Sequence, residues 1–166
     1  MRTRNWIALL LAMLCAIGFC ACQKDEPKDV PYAFVVDGVK VIPGEKASGA
    51  LGALASRNPS VSAKGSCLGG VDGEDVNYVY QGFRIQTFRL SEGDANEEIR
   101  WITFMDDSIK TEEGIAIGAM VEAVKEAYGE PAETTGGTLI YRRGGTELRF
   151  GTRDGVVSGI SYTVSE

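Results

Sequence analysis

The side chains here that could do chemistry are four cysteines and several acidic clusters, because the chain contains no histidine. That absence removes the commonest general base and metal ligand, and with them the Ser-His-Asp and Cys-His nucleophile systems in their usual form. Cys67, in Gly65-Ser66-Cys67-Leu68-Gly69, reads either as a thiol nucleophile, which needs a depressed pKa, or as a partly buried structural thiol. With no His to activate it, the structural reading is favoured. Asp72-Gly73-Glu74-Asp75 with Asn77 offers oxygen ligands for calcium but lacks the alternating spacing and closing Glu of a helix-loop-helix site, so it reads as a solvated turn. Neighbours in Asp106-Asp107 and in Glu112-Glu113 point to opposite sides of an extended chain and form no convergent carboxylate pair. Gly136-Gly137 and Arg142-Arg143-Gly144-Gly145 lack the spacing of a phosphate loop and read as turns. No catalytic residue, metal ligand or cofactor is assigned. The expectation is a binding protein, with a Cys67-dependent thiol enzyme as the rival.

The cysteines near the front have a different meaning. Arg2 and Arg4 precede an apolar run from Trp6 to Phe19, and the chain turns charged from Gln23 to Asp29. This is the three-part layout of a secretory signal, and its apolar run is shorter than the roughly 20 residues that span a bilayer. Phe19-Cys20-Ala21-Cys22 resembles a bacterial lipobox, with small Ala21 before an acylated Cys22 and with Phe19 where the pattern has an aliphatic residue. Residues 1–21 are therefore expected to be a lipoprotein signal peptide, and 22–32, with Pro27 and Pro31 among charges, a tether on the outer face of the cell membrane. Loss of residues 1–21 removes Arg2 and Arg4 and no acid, leaving 15 basic against 23 acidic residues. Such a surface repels phosphate backbones, so no nucleic acid partner is expected, and attachment to the membrane falls to the acyl chains.

The body shows one pattern twice. In the second copy, Ile115 and Ile117 alternate, Gly118 interrupts, and Val121, Val124 and Tyr128 recur at helical spacing before Gly129 and Pro131. Strand-like runs follow at 139–142, 146–151 and 156–164, separated by the turn chemistry of Arg143-Gly144-Gly145 and Asp154-Gly155. Matching Gly44 to Gly118 lays Ala47, Ala50 and Leu54 on Val121, Val124 and Tyr128. Ile99 to Phe104 then lies over Val157 to Tyr162. This predicts an α+β fold in which a short helix with an antiparallel three- to four-stranded sheet is duplicated, over 33–108 and 109–166, with helices at about 46–55 and 119–128.

Gly114-Ile115-Ala116-Ile117-Gly118, Ala127-Tyr128-Gly129-Glu130-Pro131, Leu148-Arg149-Phe150 and the run from Asp154 to Tyr162 carry a resemblance. Over 111–164 the chain resembles the β-lactamase-inhibitor-protein-like superfamily, which includes the SmpA/OmlA outer-membrane-assembly lipoproteins. Its Ser66-Cys67, Tyr78-x-Tyr80 and Asp106-Asp107-Ser108 features look closest to uncharacterised Gram-positive lipoproteins of that superfamily. The resemblance implies a helical segment laid on an antiparallel sheet.

Strand alternation then sorts the faces. Tyr141, Leu148, Phe150, Ile160 and Tyr162, with Tyr78, Tyr80, Phe83, Ile85, Ile102 and Phe104, are expected to meet the helices. Arg84, Phe88, Trp101, Arg142, Glu147, Arg149 and Thr163 fall on the other face. Trp101 and Phe88 among Arg84, Arg142 and Arg149 give the aromatic and Arg mixture enriched at protein hot spots, unless Trp101 is packed between the copies. The expected function is a lipid-anchored, extracytoplasmic binding or assembly module that contacts a protein partner of the envelope through this face. The alternative is binding of an envelope polymer or small ligand.

Overall fold

The computed structural model describes residues 30–165. The lipidation site Cys22 and the signal segment lie outside the described residues. Two hairpin strands come first, β1 (Phe34–Val36) and β2 (Val39–Val41), then helix α1 (Ala47–Ala53), a 3-10 turn (Ala55–Arg57), β3 (Ser60–Leu68), β4 (Val71–Val79), β5 (Phe83–Arg89) and β6 (Glu98–Phe104). The second half runs α2 (Val121–Tyr128), β7 (Glu133–Thr135), β8 (Thr138–Arg143), β9 (Thr146–Arg153) and β10 (Val156–Val164). β3 to β10 form one antiparallel sheet in the order β3-β4-β5-β6-β10-β9-β8-β7, so the last strands of the two halves pair at its centre. Among the described residues no helix is long and apolar enough to cross a membrane.

The helices fall where the apolar spacing puts them. α1, Ala-Ser-Gly-Ala-Leu-Gly-Ala, has two glycines and weak intrinsic propensity, so packing must hold it: Ala47 and the following Leu54 are buried. α2 buries Val124 and sets the Tyr128 ring 5.4 Å from Tyr141 and 5.3 Å from Phe150. Gly129, at φ 77°, lets the chain leave the helix in a backbone conformation most side chains resist. Phe34 of β1 packs its ring 4.9 Å from Phe83 and 5.2 Å from Phe104, filling the middle of the core. The helices and the β1-β2 hairpin thus cover one face of the sheet, where Ile85, Ile102, Leu148, Phe150, Ile160 and Tyr162 are all buried.

The two halves enter their helices through the same set of bonds. Gly44 donates its N–H to the Ile99 carbonyl at 2.8 Å, and Gly118 donates to Val157 at 2.8 Å. Ile99 donates to Glu45 and Val157 to Ala119, while Ala47 donates to Glu97 and Val121 to Gly155. The single bridges Lys46 to Glu98 and Met120 to Val156 complete the correspondence. Every one of these pairs follows the register in which Gly44 matches Gly118 and Ile99 matches Val157.

Three expectations need correction. Asp72 to Asp75 is not a turn but part of β4, because Gly69-Gly70 makes the turn and Glu74 is held across the strands by Arg89 at 2.9 Å. Each half carries four sheet strands, within the three to four expected, and β3 and β7 are the ones that the runs identified from sequence did not include. Cys67 is exposed, since β3 is the sheet edge and nothing among the described residues covers it. The body also reaches back into the expected tether: Tyr32 is buried, and its N–H donates to Thr146 Oγ1 at 2.7 Å.

Candidate functional site

The face away from the helices is built in rows by the strand register. Directly opposed residues share a face, and one row runs Asn77, Gln86, Trp101, Thr163, Glu147, Arg142 across six strands. The next row carries Arg84, Thr103, Ser161 and Arg149. Trp101 sits on β6, beside the sheet centre, and is 38% exposed, so its contacts with the second half do not bury it as core between the copies.

Arg149 lies over the Trp101 ring, its guanidinium carbon 5.5 Å from the centroid. The same guanidinium donates from Nε to Glu147 at 2.7 Å, and Arg142 donates from Nε to the other Glu147 oxygen at 2.7 Å and from a terminal nitrogen to Glu133 at 2.8 Å. Glu147 falls on the open face as alternation requires, yet its side chain is only 3% exposed because the two arginines close over it. Burial pushes the Glu147 carboxyl up, but the hydrogen bonds from Arg142 and Arg149 outweigh it and hold the pKa below the usual carboxylate range. Arg142 and Arg149 are therefore largely neutralised within the protein. Arg84 is not: its Nε is buried without a hydrogen-bond partner, and it makes no ion pair among the described residues.

The open face is not flat. Ser66 and Leu68 at the end of β3 line the same groove of about 410 Å³ as Gln86, Arg100 and Trp101 and the end of β10 up to Ser165. The β3-β4 hairpin must curl over the face for residues several strands apart in the sheet to meet there. Gly73 permits it: a Cβ at this position would lie 2.5 Å from the Arg89 carbonyl and 2.5 Å from the Phe88 ring. Phe88 is accordingly half-buried beneath the hairpin and does not stand free beside Trp101.

The face thus brings Trp101, Arg149 and Arg142 together around Glu147, leaves Arg84 in the adjoining row, and sets Phe88 apart under β4. Sequence reasoning missed the Glu147 clamp and the groove wall. Counting outward from the Gly144-Gly145 turn pairs Arg142 with Glu147, a signal that was available. The curl was not readable, since it depends on a close approach at one glycine. Among the described residues no cluster of His, Cys, Asp and Glu could hold a metal ion. No protein-family model, curated protein or solved structure matches the chain.

Proposed function

We propose that this is a binding module of the cell envelope, lipid-anchored through Cys22, which contacts a protein partner through the open sheet face. The carrying observation is Trp101, 38% exposed near the middle of an eight-stranded sheet and held in place by an arginine that is itself fixed by a buried glutamate. A large aromatic side chain already ordered before contact loses little entropy on binding, which is the behaviour of an interface anchor. Arg84 supplies an uncompensated cation beside it, suited to an acidic group of the partner. The proposal includes descent of the two halves from one duplicated unit of the β-lactamase-inhibitor-protein-like kind, supported by the matched bonds that lead into α1 and α2.

The groove favours a second reading, a small ligand or polymer segment lying against Trp101, because its 410 Å³ is within the ordinary range of ligand clefts. Solubilised membranes passed over immobilised wild type and Trp101→Ala test the leading reading. A protein retained by the wild type and lost with the variant is the expected result. Equal retention by both overturns it.

A further inference from the structure

The two edges of the sheet differ. β7 is three residues long, follows Pro131 closely, and its Glu133 is engaged by Arg142. That is a blunted edge. β3 is nine residues long, is exposed or half-exposed throughout, and pairs with no strand but β4 among the described residues. We propose that the edge of β3 is a second docking surface, beside the open-face groove that its last residues help to line, which accepts one extended strand of a partner polypeptide by antiparallel addition.

The turn geometry says which backbone groups are on offer. Gly69 and Gly70, at φ 60° and 83°, form a two-residue hairpin loop closed by Leu68 and Val71. In such a loop the closing residues exchange both of their hydrogen bonds, and every second pair along the strands does the same. Ser60, Ser62, Lys64, Ser66 and Leu68 are thereby bonded to β4. The N–H and C=O groups of Val61, Ala63, Gly65 and Cys67 point outward, without a partner among the described residues. None of these carries a charge or a proline ring, so a strand can approach along the whole edge.

The side chains define the occupant. Val61, 57% exposed, with Ala63 and Cys67, lies on one side of the strand, so the incoming residues on that side are apolar. Lys64 is the one charge on the other side, among Ser60, Ser62, Ser66 and Leu68, and lies opposite Asp75, so the incoming strand carries an acidic residue facing it and continues the alternation of charge. A second copy fits less well. The register that engages all four outward residues sets Lys64 against its own copy, between two chains of net charge −6.

The probe is the synthetic peptide Thr-Val-Thr-Val-Glu-Val-Thr-Val-Thr, added to the full chain in detergent while amide hydrogen exchange is followed residue by residue. Exchange at Val61, Ala63, Gly65 and Cys67 should slow about tenfold or more, with Ser62, Lys64 and Ser66 unchanged because β4 already protects them. The same peptide methylated on the backbone nitrogens that face β3 should have no effect, and Lys in place of the central Glu should weaken the effect severalfold. Ala63→Pro, at a position whose N–H bonds nothing within the sheet, should fold and lose the response. No slowing at saturating peptide, slowing elsewhere, or equal action of the central-Lys peptide overturns the proposal. So does protection of the four amides that rises with protein concentration alone, which assigns the edge to a second copy.

Discussion

The Arg149 guanidinium lies over the Trp101 indole, 5.5 Å from the ring centroid, while its Nε donates to Glu147 at 2.7 Å. One buried carboxylate on β9 thus fixes the cation that orders the one tryptophan of the described residues, on β6, across the intervening β10. The aromatic group most available to a partner is positioned by a polar chain that spans the two halves.

Removing the carboxylate charge should unsettle that chain. Glu147→Gln leaves Arg149 without its counterion and Arg142 with Glu133 alone, and the expected loss is about 1–3 kcal/mol of stability, on the order of 5 °C in melting temperature. The sign with pH follows from the depressed pKa. The folded state binds the Glu147 proton less readily than the unfolded state, so this contribution is full above the ordinary carboxylate pKa of 4.5 and is lost as pH falls through the lower folded value. Melting of wild type and Glu147→Gln should differ at pH 7 and converge toward pH 2. A constant gap would show that Glu147 acts only by packing.

Arg84 should behave in the opposite way. Its buried, unpartnered Nε costs stability that Met, of similar length and without the charge, does not incur. Arg84→Met is expected to melt at the wild-type temperature or above it while binding the partner about five- to tenfold more weakly. Calorimetry together with a binding titration checks both halves of the statement. A marked fall in melting temperature would make Arg84 a structural residue.

The proposed lipid anchor at Cys22 is tested by mass. Detergent-extracted protein should begin at Cys22 and carry a diacylglyceryl adduct, and Cys22→Ser should yield no lipid-modified product. An unmodified chain cut elsewhere in the wild type contradicts the membrane attachment.

The second half was the more legible part because its turns are explicit. Asp154-Gly155 and Gly144-Gly145 sit between alternating runs, and counting from them places Leu148, Phe150, Ile160 and Tyr162 inside, where the structure has them. The first half hid β3 and half of β4, because Asp72-Gly73-Glu74-Asp75 has the composition of a turn. Those residues are extended because β4 pairs with β3 on one side and β5 on the other and Arg89 holds Glu74 across neighbouring strands, a tertiary effect that outweighs weak strand propensity. A register shift between Gln86 and Thr87 also lets Arg100 bulge toward the groove, which strict alternation does not foresee. Trp101 was placed on its correct face by alternation alone. Its exposure depended on the strand order, which no local pattern specifies.

The central claim is that Trp101 anchors a partner and does not hold the fold together. Trp101→Ala measured in one preparation for both melting temperature and affinity, against the partner recovered from solubilised membranes, tests it most directly. The account predicts a loss of about 2 kcal/mol or more in binding, roughly 30-fold in Kd, with melting within a few degrees of the wild type. A steep fall in melting temperature, of the size expected for emptying a core site, with affinity per folded molecule unchanged, would contradict it.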